Sequence, residues 1–247
     1  MIRTENAFVK VTKNKIAPEK GEIIKINAWW TGATKRFRVI KSEGINVVLL
    51  SLDDNTAGGN PWRTAFNEGE TAQFENGNNY INYANGLLDN YLNTNYYNSL
   101  NDEMKAAIIP LNRVQSVYDS TFAAASGTFK LKSKDGTSIS TFSRVTQKTI
   151  GERKCWALDI DDLVEYFNLS PNDILDSTDI INLYEQASGS SNDSFLASAC
   201  TLLPSSTVWS IENVNTNYAI TPDYYDNTRI IRPAFKIDLT NIDYIIE

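Results

Sequence analysis

The clearest alternation of apolar and polar positions lies near the end of the chain. Ile231, Pro233, Phe235, Ile237 and Leu239 fall on one side of an extended segment, and Arg232, Ala234, Lys236 and Asp238 on the other. A period of two marks a strand. Pro233 has no N–H to give to a ladder, so one side of this strand is an edge or a bulge at that point. The same alternation runs through Arg36-Phe37-Arg38-Val39-Ile40. After a turn at Ser42-Glu43-Gly44, the apolar run Ile45 to Leu52 reads as a second strand, buried on both faces. Thr207 to Ile211 and Tyr218 to Ile220, separated by the turn Asn215-Thr216-Asn217, supply further strands. A closure that sets the Arg36 to Ile40 strand beside the Arg229 to Leu239 strand joins the two ends.

The middle of the chain carries the helical spacing. Leu87, Leu88, Tyr91 and Leu92 mark one helix, and Ser99 caps a second through Leu100, Met104, Ala107 and Ile108, stopped by Pro110. Thr121 to Ser143 is rich in Ser, Thr, Gly and Ala and reads as a weak hairpin turned at Asp135-Gly136. Cys155-Trp156-Ala157-Leu158 is a short strand, after which Asp159 or Asp161 opens a helix through Leu163, Val164 and Phe167. Ser170-Pro171-Asn172-Asp173 is a further helix-start signal, and Ile180, Ile181, Leu183 and Tyr184 form another apolar stripe. Asp53 to Asn79 and Ser188 to Ser194 read as polar loops. Residues 1–27 form an extended N-terminal β arm that can join its own sheet or reach a neighbouring subunit. Residues 28–247 form one domain, and strands at both ends with helices between them make it α+β.

Composition narrows the chemistry. The chain of 247 residues contains no histidine, which removes histidine-based nucleophile activation and metal ligation and the usual general base near neutral pH. A net charge of -7 opposes binding to phosphate backbones, and the lysines between Lys10 and Lys25 are interrupted by Glu19 and Glu22, so no nucleic-acid partner is expected. No apolar run is long enough to insert in a membrane, and Met1 to Asn6 lacks the order of a signal peptide. Cys155 and Cys200 read as two buried free thiols, with a disulfide between them as the alternative. Asp159-Asp161-Asp162 and Asp53-Asp54 offer paired carboxylates, but dipole compensation at a helix start explains the first group better than catalysis does. Aromatic side chains beside polar loops remain as recognition candidates: Trp29-Trp30, Trp62, Tyr80, Tyr83, Tyr224 and Tyr225. Of these, Trp62, Tyr224 and Tyr225 are selected as ligand-binding residues. No catalytic residue, metal site or cofactor is expected.

Several segments together resemble a family. Phe37-Arg38-Val39-Ile40 with Val47-Val48-Leu49-Leu50-Ser51, Tyr91-Leu92-Asn93 with Tyr96-Tyr97, Lys105-Ala106-Ala107-Ile108, Trp156-Ala157-Leu158 and Ile231-Arg232-Pro233-Ala234-Phe235 occur in the order of a domain of unknown function from phage and prophage structural proteins. That family is similar to the C-type-lectin-like, or formylglycine-generating-enzyme-like, fold. The resemblance implies a non-enzymatic virion component of tail, baseplate, neck or head decoration, made in the bacterial cytoplasm. Its implied partners are other virion proteins, further copies of itself and a host cell-surface glycan. The alternative it carries is a carbohydrate-binding module or carbohydrate-active enzyme on the same fold. The calcium-binding loops of classical C-type lectins have no counterpart here, and Cys200 to Ser206 stands where family members show a Trp-Leu-Arg-Ser type segment.

Overall fold

In the computed structural model, residues 16–28, 32, 34–52, 63–122, 124–185, 194–212 and 217–247 are described. In chain order the strands begin with β1 (Ile23–Asn27), β2 (Thr34–Glu43), β3 (Asn46–Ser51), β4 (Arg63–Thr64), β5 (Thr71–Gln73) and β6 (Asn79–Ile81). A continuous helical stretch follows, made of α1 (Leu87–Tyr91), a π-helical turn (Leu92–Tyr96) and α2 (Tyr97–Ser99), and then α3 (Asp102–Ala107). Next come β7 (Ile108–Ile109), β8 (Leu111–Phe122), β9 (Phe129–Lys132), β10 (Ile139–Arg153), β11 (Trp156–Ala157) and α4 (Ile160–Phe167). The chain continues through β12 (Ile174–Asp176), α5 (Ser177–Leu183), β13 (Ser194–Cys200), β14 (Thr207–Ile211), β15 (Ile220–Tyr224), β16 (Arg229–Ile230), β17 (Pro233–Asp238) and β18 (Tyr244–Ile246).

The strands form two large sheets. One runs β11-β17-β3-β2-β1-β18, with β7 also on β17, and the other runs β12-β9-β10-β8-β13-β14-β15, with β16 and β4 attached through β13. Strands make up 47% of the structure and helices 18%, so the expected α+β, C-type-lectin-like class is wrong and the fold is mostly β. The error has a local source. The longest strand pair, β8 with β10, runs from Ser140↔Phe122 to Arg153↔Leu111 and carries Ser, Thr, Gln and Lys between few apolar residues. Only the neighbouring hairpin of β9 with β10, turned at Asp135-Gly136, was legible. β13 is the second omission: Ser194-Phe195-Leu196-Ala197-Ser198-Ala199-Cys200 is buried at every position, and small residues hide such a strand from any period-two reading.

Other expectations are corrected by a strand or a turn. β17 pairs with β3, and β2 lies on the far side of β3, so the two alternating strands are second neighbours. Asn101, two residues after Ser99, caps α3 by accepting from the Met104 N–H at 2.8 Å. Ser170 to Asp173 closes as a turn, with the Asp173 N–H donating to the Ser170 carbonyl and Asn172 in the left-handed region at φ 70°. A helix cannot continue through that residue, and the next element is β12, which leads into α5 with Asp176 as its cap. In the segment expected to be an arm, β1 pairs with β2 on one side and β18 on the other, and residues 1–15 lie outside the described residues.

One apolar cluster draws on both sheets and the helices. It includes Phe37, Leu49 and Phe235 from the first sheet, Phe129, Phe142 and Trp209 from the second, and Leu163 from α4. Phe235 meets Phe37 edge-on at 5.4 Å and Phe142 stacks on Phe129 at 5.0 Å. Pro233 starts β17 and pairs only with the short β11, as a residue without an N–H requires. Arg232 is buried rather than solvated: its Nη1 donates to the Leu52 carbonyl, holding the end of β3 against the start of β17.

Candidate functional site

Three local features meet at the junction of α1, the π-helical turn and the end of β10. Asn85 precedes α1 in the left-handed conformation at φ 61°, which asparagine tolerates because its short amide can bond locally. A π-helical turn inserts an extra residue into a helix, and such turns gather at functional sites. Here the turn carries Asn93, whose Nδ2 donates to the Cys155 carbonyl at 2.9 Å and whose Oδ1 accepts from the Lys154 and Cys155 N–H groups at 3.1 and 3.2 Å. The third feature is a buried ion pair. Arg153 Nε donates to both oxygens of Asp89, at 2.7 and 2.9 Å, and Asp89 also accepts from the Asn85 N–H and from Asn93.

These groups line an open cleft of about 330 Å³, together with Asn90, Pro110, Glu152 and Lys154. Arg153 spends Nη1 on the Glu152 carbonyl at 2.9 Å, which leaves its Nη2 without an acceptor among the described residues. Lys154 holds its ammonium 4.2 Å from the centre of the Tyr97 ring. The cleft therefore presents carboxamides, one fixed guanidinium, one ammonium and the exposed carboxylate of Glu152, with its single buried carboxylate already neutralised. Groups of this kind exchange hydrogen bonds with hydroxyls and carbonyls without gaining or losing protons.

The acidic group at α4 has a different role. Asp159 is the N-cap, forming a capping box with Asp162, and its Oδ2 accepts from the Ser116 N–H at 2.9 Å. Asp162 pairs with Arg113, and Asp161 accepts from Ser116 Oγ and Tyr118 OH, both at 2.5 Å, and from Arg144 at 3.3 Å. Loss of solvent, reinforced by the Asp161 and Asp162 carboxylates, pushes the Asp159 carboxyl up to about 6. Its folded value lies above its unfolded one, so the native state holds the proton more tightly. The stabilisation is complete below the unfolded value near 4 and is lost as pH rises through about 6. Asp159→Asn keeps the cap but removes the titration, so urea-unfolding stability between pH 4 and 7 should fall less steeply with rising pH than in the parent chain. An unchanged profile would assign the titration to another group.

The aromatic candidates are scattered. Trp29, Trp30 and Trp62 lie outside the described residues, as do Asp53 and Asp54. Tyr80 and Tyr83 are core residues, Tyr80 edge-on to Phe74 at 5.3 Å. Tyr224 is 54% exposed at the end of β15. Tyr225 beside it is half-buried, with its N–H donating to the Ser206 carbonyl, its own carbonyl accepting from Phe66, and its hydroxyl pressed on Gly69. Neither tyrosine lines the Asn-rich cleft. Cys155 and Cys200 are both buried and free, and burial pushes both thiols up. Asp89, Asn93 and Arg153 were not singled out in the sequence, although Asp89 and Asn93 stand four apart on a helix, where side chains meet.

Residues 45–239 match the family described as "Domain of unknown function (DUF6273)". No curated protein and no solved structure matches the chain.

Proposed function

The chain belongs to the DUF6273 family, a domain of unknown function, and from that premise we propose that it is a non-catalytic attachment or assembly component of a bacteriophage particle whose Asn-rich cleft holds a polyhydroxylated ligand of the host surface. The virion setting rests on the resemblance of the order of segments in this sequence to a domain of phage structural proteins. The recognition role rests on one observation: the cleft at Asp89 is walled by amides and by an arginine fixed in place, with a donor left over. Sugar hydroxyls, which both donate and accept, match carboxamides in this way, and a pre-set guanidinium binds without ordering a free side chain.

A glycan array probed with the full chain tests the ligand. Asn90 and Lys154 face the cleft from outside the buried ion pair, so Asn90→Ala and Lys154→Ala should each weaken binding about tenfold, the value of one or two lost hydrogen bonds. Binding unchanged in both variants would move the site elsewhere, and no binding to any glycan would reject the ligand class. Proteomics of purified particles from the encoding host tests the setting, and absence of the chain from those particles would reject it.

A further inference from the structure

A groove lies between α3, β7 and the turn that follows β17. It encloses about 430 Å³, more than the Asn-rich cleft, and shares no lining residue with it. Ala106, Ala107, Ile109 and Ile242 form its apolar wall, and Glu103 and Asp238 supply its charge. The lysines next to them are already matched, Lys105 with Asp102 at 3.7 Å and Lys236 with Glu43 at 2.7 Å. Among the described residues no cation pairs with Glu103 or with Asp238, whose Oδ1 accepts from the Thr240 N–H at 2.8 Å. The Ile108 N–H is given to the Met104 carbonyl and Pro110 has none, so recognition here falls on side chains rather than on a further strand. What fits is a row of apolar groups with a cation beside it.

Residues 1–15, which lie outside the described residues, have that composition. Arg3, Lys10, Lys13 and Lys15 stand against one carboxylate, Glu5, and Phe8, Val9 and Val11 are apolar. In an extended chain Val9, Val11 and Lys13 share one side. The point at which this segment joins the described chain is close to the groove. Tyr244 OH donates to the Ile16 carbonyl, and Tyr244 is two residues beyond Ile242 in the wall. Two residues cover at most about 7 Å, whereas the five steps from Ile16 back to Val11 can span about 17 Å, which leaves room for the tyrosine side chain. The segment can therefore reach. A tether this short holds it at an effective concentration on the order of millimolar, which favours it over a free partner of equal affinity.

We propose that residues 9–13 of the same molecule lie in this groove, with Val9 and Val11 against Ala106, Ile109 and Ile242 and with Lys13 paired to Glu103 or Asp238. The segment covers an apolar surface of its own chain, and any partner that uses the groove has to displace it.

Carbodiimide coupling of the full chain, read by peptide mass spectrometry, tests the contact, because the reagent joins an amine to a carboxylate only where the two already touch. Expected is a link from Lys13 to Glu103 or Asp238 within one chain, its yield lowered at least about tenfold by Val9→Asp with Val11→Asp, which removes both apolar contacts. A yield that the valine substitutions leave unchanged would overturn the proposal. Coupling a mixture of ¹⁴N and ¹⁵N chains identifies the source of the segment. Links confined to one isotope support the same-molecule assignment, and links between isotopes would place the segment of a second copy in the groove and overturn it. Nuclear Overhauser contacts from the Val9 or Val11 methyls to Ile109 or Ile242 in the parent chain are expected as well. Absence of both the link and these contacts would reject the site. Neither readout involves the Asn-rich cleft, so failure here leaves the attachment reading standing.

Discussion

Replacing Arg153 with alanine is expected to destabilise the protein by about 3–5 kcal/mol, because it strands the Asp89 carboxylate in a buried position with no counter-charge. The Asp89 side chain is 4% exposed and Arg153 14%, so the carboxylate is held in place against the guanidinium and loses its only ion-pair partner among the described residues. The pair itself is worth much less than this loss, since its Coulomb gain is largely spent on desolvation. The double variant Asp89→Asn, Arg153→Met should therefore be more stable than Arg153→Ala alone, although it retains neither charge. Urea unfolding followed by tryptophan fluorescence compares the three chains. A loss below about 1 kcal/mol in Arg153→Ala would show that the carboxylate is wetter than its burial implies.

Phe235→Ala should cost about 3–5 kcal/mol for a different reason, the cavity left by a large ring that the surroundings cannot refill. Phe235 is fully buried on β17, between Phe37 at 5.4 Å and Tyr96 at 6.5 Å, and it joins the first sheet to the helical stretch. Tyr224→Ala, at an exposed ring, serves as the control and should stay within about 0.5 kcal/mol. Equal effects of the two substitutions in thermal or urea unfolding would mean that the ring stack is not a central part of the core.

The strands with strict alternation were legible, and so were the signals that act over four residues. Phe235 and Ile237 face the core as the alternation requires, the hairpin at Asp135-Gly136 forms with Gly136 at φ 74°, and Asp159 caps α4. What failed was any inference that needed the partner of a strand. Arg232 reads only as a polar position opposite Phe235 until Leu52 is placed beside it, and Ser198 carries no strand signal until its hydroxyl accepts from the Ile160 N–H at 2.8 Å. Strands whose inward residues are Ser, Thr or Ala carry too little hydrophobic contrast to show a period, and β8, β10 and β13 are of that kind. The candidate site was less legible still. Asp89 and Asn93 share one helical stretch but Arg153 lies 64 residues beyond Asp89, and only the π-helical turn brings Asn93 onto the backbone at Cys155.

β1 and β18 close the first sheet by pairing Ile24 with Ile246, and the Glu247 N–H donates to the Ile23 carbonyl at 2.9 Å. That contact joins residues more than 220 apart, so its loop-closure entropy is large. During synthesis β1 and β2 emerge well before β18. The hairpins β9–β10 and β14–β15, and β8 beside β10, have their partners close at hand and can form while β1 still has one bare edge. Such an edge is a template for other strands, which makes the interval before β18 arrives the period in which this chain is most exposed to pairing with the wrong neighbour.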